Sequence, residues 1–277
     1  GAWLSVAYAN GPLGTSWTGA IRLDRSGLPA QWFGSHDIRV QRTMRTLTFH
    51  AGHRSSFSPP TLGDQFFREG VGVEPNPDLR AERVPSEWVA GAGLRADRRA
   101  VVLSLGVEAY SGATTDMIVW LPDYRFVWSP RNLDVKRRGL DLDGRVRFPA
   151  SGYEAWASWS YNRATYDRSQ SADVQVVYRP RYQGGFGASR TQSGGSILVS
   201  TRYTGARFPV PNDVNELAGF WAVDVSARRA WTLGPAALDL QMAIERLFDQ
   251  RDALIFAYPH PGRTLRVTLR VGRTSES

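Results

Sequence analysis

The sequence contains no cysteine, and Lys136 is its only lysine. Without cysteine, neither a disulfide framework nor a thiolate metal site is possible. No apolar run approaches the roughly 18 residues that a membrane-spanning helix requires, so a helical membrane protein is excluded. The 277-residue chain is long enough for one large domain, and these absences leave open strands that cross a membrane in about 10 alternating residues each.

The charge of the chain is strongly positive and is carried almost wholly by arginine. The net charge is +8 and the pI is near 10.2, a balance that is also found in nucleic-acid-binding proteins. The arginines are spread over many predicted strands and turns, however, and do not cluster. Rows of arginine facing Asp and Glu in a polar interior explain the charge better, so we expect no nucleic-acid partner.

Apolar and polar residues alternate along most of the chain. In the runs 237–245 and 264–271, leucine, valine, isoleucine and methionine fall on one face and charged or polar residues on the other. This period of two is typical of strands. The same pattern recurs through runs such as 87–94, 100–110, 140–148, 197–203 and 220–228. We count about 13 strands, joined by alternately short and long connections. The long connections are predicted at 24–35, 55–84, 111–135, 163–177, 207–218 and 249–262.

This two-faced pattern favours a membrane barrel over a soluble one. A soluble barrel of about 13 strands would enclose a lumen too wide for leucine and valine to fill. In lipid, the same strands turn their apolar face to hydrocarbon and their charges to a wet lumen. The charges then avoid the roughly 2–4 kcal/mol cost of an arginine facing the mid-bilayer. A soluble double-layered sheet is the alternative.

Several segments resemble the TonB-dependent outer-membrane receptors. The segments 245–251 and 258–264 are similar to the family's last strand end and its Pro-Gly-Arg-Thr loop, although Arg246 replaces the usual Asn. Segments 57–64, 76–83, 132–141 and 178–181 are similar to further motifs in the family's order. The motif residues expected to order strand ends and loop bases are Phe57, Pro60, Thr61, Asn76, Pro77, Leu79, Glu82, Phe248, Asp249, Pro261, Gly262 and Arg263.

The resemblance implies an all-β, antiparallel transmembrane β-barrel in the bacterial outer membrane. Receptors of this family have 22 strands and an N-terminal plug, and they import iron–siderophore chelates, cobalamin or similar ligands with energy from TonB. Here residues 1–277 match only the C-terminal part of such a barrel, with 12–14 strands. We therefore expect one partial barrel domain that contacts lipid and a metal chelate or vitamin. It would reach TonB only through a missing plug or a partner chain. The alternative is a plugless passive pore or a structural barrel subunit.

Candidate ligand contacts are the aromatic, arginine and histidine residues of the long connections, because such residues suit anionic, planar chelates. Their alternative role is packing within loops or anchoring at a membrane interface. The candidates are Trp32, Phe33, Trp120, Tyr124, Trp128, Arg207, Tyr258 and His260.

The sequence offers no signal for a metal site, a cofactor or an enzyme. The four histidines, His36, His50, His53 and His260, lack metal-ligand spacing. His50 and His53 are three residues apart in one strand, which places them on opposite faces. A Ser-His-Asp arrangement is the remaining catalytic possibility, but no Gly-x-Ser-x-Gly turn is present. We therefore predict lumen or loop histidines and a non-enzymatic protein.

Overall fold

A computed structural model describes residues 1–11, 14–27, 30–67, 70, 72–167, 174–211, 215–234 and 236–273. They form a 13-stranded antiparallel sheet in which sequence neighbours pair in order, from β1 through β12 to β15. The strands are β1 (Ala2–Gly11), β2 (Thr15–Ser26), β3 (Gln31–Met44), β4 (Leu47–Ser58), β5 (Glu82–Asp97), β6 (Val102–Pro122), β7 (Trp128–Phe148), β8 (Tyr153–Tyr166), β9 (Tyr182–Gln192), β10 (Gly195–Thr204), β11 (Phe220–Leu233), β12 (Ala236–Glu245) and β15 (Thr264–Arg273). Strands β13 (Ala253–Ile255) and β14 (Tyr258–Pro259) form a separate small hairpin, and α1 (Leu62–Phe66) is the one helix assigned in these ranges.

The all-β, antiparallel architecture is therefore confirmed, with 13 strands in its main sheet. Strands β1 and β15 are the two edges of this sheet, and within the described ranges they do not pair with each other. The sheet is thus an open segment of barrel wall. Across the part of the chain that the structure describes, no helix is long and apolar enough to cross a bilayer.

The two faces of the sheet differ in chemistry, as the alternation predicts. Leu240 pairs with Leu269 and Met242 with Val267, and Leu269 and Val267 are 60% and 55% exposed. We call this side the apolar face; it is the side that carries Leu105, Leu142, Val225, Met242 and Val267. The opposite side is the charged face, which carries Glu87, Glu108, Arg137, Asp224 and Asp239. The main sheet is a single layer, so the alternative of a soluble double-layered sheet is not what the chain forms.

Two of the predicted long loops are largely strand. Strand β2 runs to Ser26 and β3 starts at Gln31, within predicted loop 24–35; β6 runs to Pro122 and β7 starts at Trp128, within 111–135. The prediction failed because alternation is lost there while the backbone ladder continues, as the pairs from Met117–Leu133 to Pro122–Trp128 show. The remaining long connections fall where expected, although β8 extends to 166 and β13–β14 lie within 249–262. Residues 28–29, 68–69, 71, 168–173 and 212–214 of the predicted loops lie outside the described ranges.

The long connections are ordered by local capping and by a small apolar core. Thr61 is the N-cap of α1, and the side chains of Thr61 and Asp64 cap each other's backbone amides. At the long-connection end of the sheet, buried apolar side chains pack where segment 174–178 covers the ends of β6, β7 and β8. This core contains Val119, Leu121, Val135, Ala164, Tyr166, Val176 and Val177.

Candidate functional site

A buried carboxylate organises the centre of the charged face. Only 3% of the Glu87 side chain is exposed, and its two oxygens accept hydrogen bonds from Arg54 and from Arg137, the latter at 2.6 Å. Strands β4, β5 and β7 supply the three residues. A buried carboxylate requires this compensation, because removing a charge from water is costly unless it is paired and hydrogen-bonded. The network fixes two guanidinium groups on the charged face.

A second polar contact lies beside this network. His50 Nε2 is 2.9 Å from Glu108 Oε2. The imidazole of His50 crosses Gly91 so closely that a Cβ at Gly91 would lie 2.5 Å from its Cε1 atom. Glycine is therefore required at position 91 for this histidine to lie flat on the charged face.

The long connection 59–81 is tied to the ends of β6 and β7 by several motif residues. Asn76 donates from its side chain to Pro130 O at 3.0 Å, and Glu82 accepts from the amide of Ile118 at 2.6 Å. Leu79 is buried, and Pro77 O accepts from Gln65. These are contacts that a residue ordering a loop base makes, and we propose that role for the Asn76–Glu82 motif.

Asn132 is the strongest single link to this connection. Its amide nitrogen donates to Arg80 O at 3.0 Å and to Asp116 O at 2.7 Å, and its oxygen accepts from the amide of Arg80 at 2.8 Å. One side chain thus joins β6, β7 and the segment after Leu79. Nearby, Phe57 stacks on Phe33 with ring centroids 4.7 Å apart.

A second assembly forms where the connections 205–219 and 246–263 meet. Arg207 is only 2% exposed, and its guanidinium donates to the carbonyls of Gly205, Ala253 and Leu254. The ring of Phe220 lies beneath both Arg207 and Arg246, at 5.4 and 5.8 Å from their guanidinium carbons. Burial lowers the pKa of Arg207, but an arginine stays protonated in proteins.

Asp249 links the two ends of the last long connection, 246–263. Its carboxylate accepts from the amide of Arg263 at 2.8 Å, which holds the pKa of Asp249 below its usual range. A Cβ at Gly262 would lie 2.2 Å from the same carboxylate oxygen, so glycine leaves room for the hydrogen bond. Arg246 has a φ of 54°, a left-handed conformation that Asn adopts more readily than Arg. This explains why asparagine is usual at this position in the family that the motif resembles.

The predicted ligand contacts separate into two groups. Trp32, Tyr124 and Tyr258 are 63%, 88% and 74% exposed. Tyr124 and Tyr258 lie on long connections, whereas Trp32 lies in β3, on the same face as His36 and Ile38, and not in a loop as predicted. Trp128 and His260 are partly exposed. Burial, followed by the nearby cations Arg246 and Arg202, lowers the pKa of His260.

The other three predicted contacts are engaged within the protein. Phe33 is 5% exposed and lies under the Arg83 guanidinium. Trp120 donates from its indole nitrogen to Asp64 at 3.2 Å and so holds α1. Arg207 is occupied by carbonyl groups, as described above.

Two of the four histidines lie on the apolar face and not in a lumen or loop as predicted. His36 Nε2 and His53 Nδ1 are 2.8 Å apart, and each ring also contacts a serine, Ser55 or Ser86. These four side chains satisfy one another, which explains how polar groups are tolerated beside Trp88. No cluster of three His, Cys, Asp or Glu with metal-binding geometry occurs in the described ranges.

Sequence reasoning did not identify Glu87, Arg54 or Arg137 as a unit. Alternation alone places each of them on the charged face. Their contact depends on the register of β4, β5 and β7, because Arg54 and Arg137 are 33 and 50 residues away from Glu87 in sequence. The one signal in the sequence that could have indicated this contact was the presence of oppositely charged residues on the same predicted face.

No protein-family model and no curated protein matches the sequence. Solved structures match it strongly. The Copper transporter OprC superposes with a TM-score of 0.74 at 16% identity, over 96% of this chain and 46% of that chain. The FrpB iron transporter from Neisseria meningitidis superposes with a TM-score of 0.65 at 16% identity, over 96% and 44%. The Ferric-Catecholate import receptor Fiu from K12 E. coli gives 0.66 at 14% identity, over 92% and 42%.

The chain has the fold of a TonB-dependent receptor barrel. It spans less than half the length of these solved structures, and the one-sheet architecture agrees with the C-terminal part of their barrels. At this level of identity the likeness establishes the fold alone. In the receptor barrel fold, the charged-face network and the two loop assemblies lie on one continuous wall, and the loop assemblies occupy its long-connection end.

Proposed function

We propose that this chain forms part of the barrel wall of an outer-membrane receptor. The receptor takes up a scarce ligand, such as an iron–siderophore chelate or cobalamin, with energy from TonB. The proposal is supported most directly by the exposed apolar face of the 13-stranded sheet. The many exposed leucine, valine and tryptophan side chains of the apolar face are suited to contact with lipid hydrocarbon, while the charged face is suited to a water-filled lumen. The structural neighbours are transporters and receptors by name, which fits a non-enzymatic role.

The exposed aromatic residues Trp32, Tyr124 and Tyr258 are the proposed first ligand contacts. Tyr124 and Tyr258 lie on two different long connections and Trp32 lies near the start of β3, all at the end of the wall that would face the cell exterior. Large amphipathic rings bind planar ligands with little loss of conformational entropy. Phe33, Trp120 and Arg207 act indirectly in this proposal, since they hold the connections that carry the exposed rings.

The charged face gives the proposed ligand its chemical class. Arg202 faces Asp224 at 3.9 Å, and Arg54 and Arg137 flank Glu87 on the same face. Positive groups beside a lumen attract anions and raise their local concentration. We therefore place an anionic chelate first among the ligands named above.

The decisive experiment is ligand uptake by the full-length protein in cells that lack their own receptors. Ferric catecholate, ferric citrate, copper and cobalamin, each radiolabelled, are supplied to cells with and without TonB. Saturable uptake of one ligand that needs TonB is the expected result. Uptake of none of the four, or uptake that is independent of TonB and accompanied by ion conductance in planar bilayers, would overturn the proposal and support the passive pore.

A further inference from the structure

A groove with almost no charge interrupts the charged face over strands β8 to β10. On these three strands, which are described in full, Glu154 and Arg202 are the only charged residues of that face. The neighbouring strand β7 carries five, from Arg137 to Arg147. The groove encloses about 370 Å³. We call it the neutral groove, and the residues on which its chemistry depends are Trp156, Ser158, Ser160, Gln183, Ser200 and Thr204.

Trp156 gives the neutral groove an aromatic surface on the polar side of the sheet. It pairs with Arg145 and with Gly187, which places its side chain on the charged face. A Cβ at Gly187 would lie 2.7 to 3.0 Å from three atoms of the indole, so glycine is required for the ring to lie across β9. Proteins break the alternation of apolar and polar residues mainly at functional or strained sites. Trp156 is therefore a candidate for contact with a ligand.

The hydroxyl and amide groups of the neutral groove are available to a ligand. Thr204 is only 7% exposed, yet its hydroxyl makes no hydrogen bond with any described residue. Within the described ranges, side-chain hydrogen bonds are equally lacking at Ser158, Ser160, Gln183 and Ser200. Buried polar groups in proteins are nearly always hydrogen-bonded. The groove thus presents several donors and acceptors to a molecule that brings both.

The two charged residues of the lining compensate each other. Arg202 Nη2 is 3.9 Å from Asp224 Oδ2. The other carboxylate oxygen of Asp224 accepts from the amide of Arg246 at 2.9 Å. The lining therefore has no net charge, and it favours an uncharged ligand over an anion or a cation.

The backbone of the neutral groove offers nothing to an extended peptide. Strand β9 pairs with β8 along one edge and with β10 along the other, and β10 also pairs with β11. Addition of a peptide strand requires an unpaired edge. Recognition in the groove therefore depends on side chains, namely hydroxyls, one amide and one aromatic ring.

We propose that the neutral groove binds a ring of a saccharide in the lumen. A pyranose carries hydroxyl groups around its edge, and these donate and accept hydrogen bonds as the hydroxyls of Ser158, Ser200 and Thr204 do. Its C–H faces suit the ring of Trp156. The inference goes beyond the uptake of an anionic chelate. From the proposed function it takes only the placement of the charged face in a water-filled lumen.

The direction of the neutral groove fits a ligand that moves through the lumen. Gln183 and Thr204 lie at the long-connection ends of β9 and β10, whereas Trp156 lies near the short-turn end of β8. The groove therefore follows the axis of the wall. A site on a transport path must release its ligand as well as bind it, so we expect a Kd of about 1 mM.

The test measures saccharide binding by the full-length protein in lauryldimethylamine oxide, a detergent that contains no sugar. Trisaccharides of glucose, galactose and mannose are titrated separately and observed by saturation-transfer NMR. Trp156→Leu removes the ring from the groove. Trp159→Leu is the matched control, because Trp159 lies on the same strand but on the apolar face. Heat-dependent mobility on gels confirms that each variant is folded.

We expect at least one trisaccharide to bind, and Trp156→Leu to weaken that binding about tenfold. Trp159→Leu should leave it unchanged. The double variant S158A/S200A, which removes two hydroxyls and leaves the indole in place, should also weaken it about tenfold. Absence of binding by all three trisaccharides, or equal losses in Trp156→Leu and Trp159→Leu, would overturn the proposal.

Two further probes separate a saccharide site from other sites. Citrate and tetraglycine are titrated under the same conditions, as an anion and as a peptide. Tighter binding of either one than of every trisaccharide, with a loss in S158A/S200A, would show an anion or peptide site and would also overturn the proposal. None of these readouts uses TonB or ligand uptake, so failure of the transport proposal is separately visible.

Discussion

The carboxylate of Glu87 accepts a hydrogen bond from the guanidinium of Arg137 at 2.6 Å across 50 residues of sequence. With Arg54 on its other oxygen, Glu87 joins β4, β5 and β7 on the charged face. In a single-layer sheet, such contacts tie neighbouring strands together across the charged face.

Glu87→Gln should destabilise the protein by about 1–3 kcal/mol, because it removes the charge between two guanidinium groups that are only partly exposed. The change is measured by urea unfolding of the full-length protein in detergent, followed by tryptophan fluorescence. Glu154→Gln is the matched control: Glu154 pairs with Arg145 and Arg147, which are 55% and 52% exposed. Its loss should be below about 1 kcal/mol. Equal losses would contradict a special role for Glu87.

Asn132→Ala should loosen the connection 59–81, because three hydrogen bonds to backbone groups disappear together. The local cost should be about 1–3 kcal/mol. Proteinase K cleavage within this connection, mapped by mass spectrometry, should become faster. Arg131→Ala, on the neighbouring exposed residue of β7, should leave cleavage unchanged. A protected connection in Asn132→Ala would count against this account of the loop base.

Arg207→Ala should open the connections around β13 and β14, since the carbonyls of Gly205, Ala253 and Leu254 lose their shared donor. The expected cost is about 1–3 kcal/mol for buried groups left unpaired. Faster proteolysis near residue 254, measured without ligand, would identify the structural effect. Weaker ligand binding with unchanged proteolysis would instead make Arg207 a direct ligand contact.

Tyr258→Ala, Tyr124→Ala and Trp32→Ala should each weaken ligand binding about tenfold without loss of stability, as expected for exposed aromatic contacts in an interface. Binding is measured by titration of the full-length protein with the chelate identified by uptake. Phe248→Ala is the control, because Phe248 is 66% exposed but was assigned to a structural motif. If the control weakens binding as much as the three variants, the assignment of contacts is wrong.

His260 should make the last long connection less stable as the pH falls. Burial and two nearby arginines lower its pKa below the ordinary value of about 6.5. As the pH falls below about 6.5, His260 is protonated in the open connection before it is protonated in the folded one. The contribution of neutral His260 to the stability of the folded connection is therefore fully present above that pH and declines below it. Cleavage of residues 249–263 by a pH-insensitive protease should become faster as the pH falls from 7 to 5. His260→Gln should remove this acceleration; an unchanged pH response would exclude His260 as its source.

The strand content of this chain could be predicted because alternation is local. The faces of β12 and β15 and the count of about 13 strands were both correct. The extensions of β2, β3, β6 and β7 were missed. Beyond the apolar band neither face must be hydrophobic, so the signal ends before the strands do.

The candidate contacts could be only partly predicted. Aromatic residues in connections were identifiable, but nothing in the sequence distinguishes the exposed Tyr258 from Trp120, whose indole is bound to Asp64. Burial depends on which connections fold onto one another. That is a property of segments far apart in the chain.

The sequence by itself determined that one face of each strand is apolar and the other charged, because successive side chains point to opposite sides of a strand. Only the tertiary structure decided which charges meet. The register between strands placed Glu87 between two arginines and placed Trp156 over Gly187 on the charged face. These contacts join residues on different strands, so their partners are set by pairing and loop packing and not by local pattern.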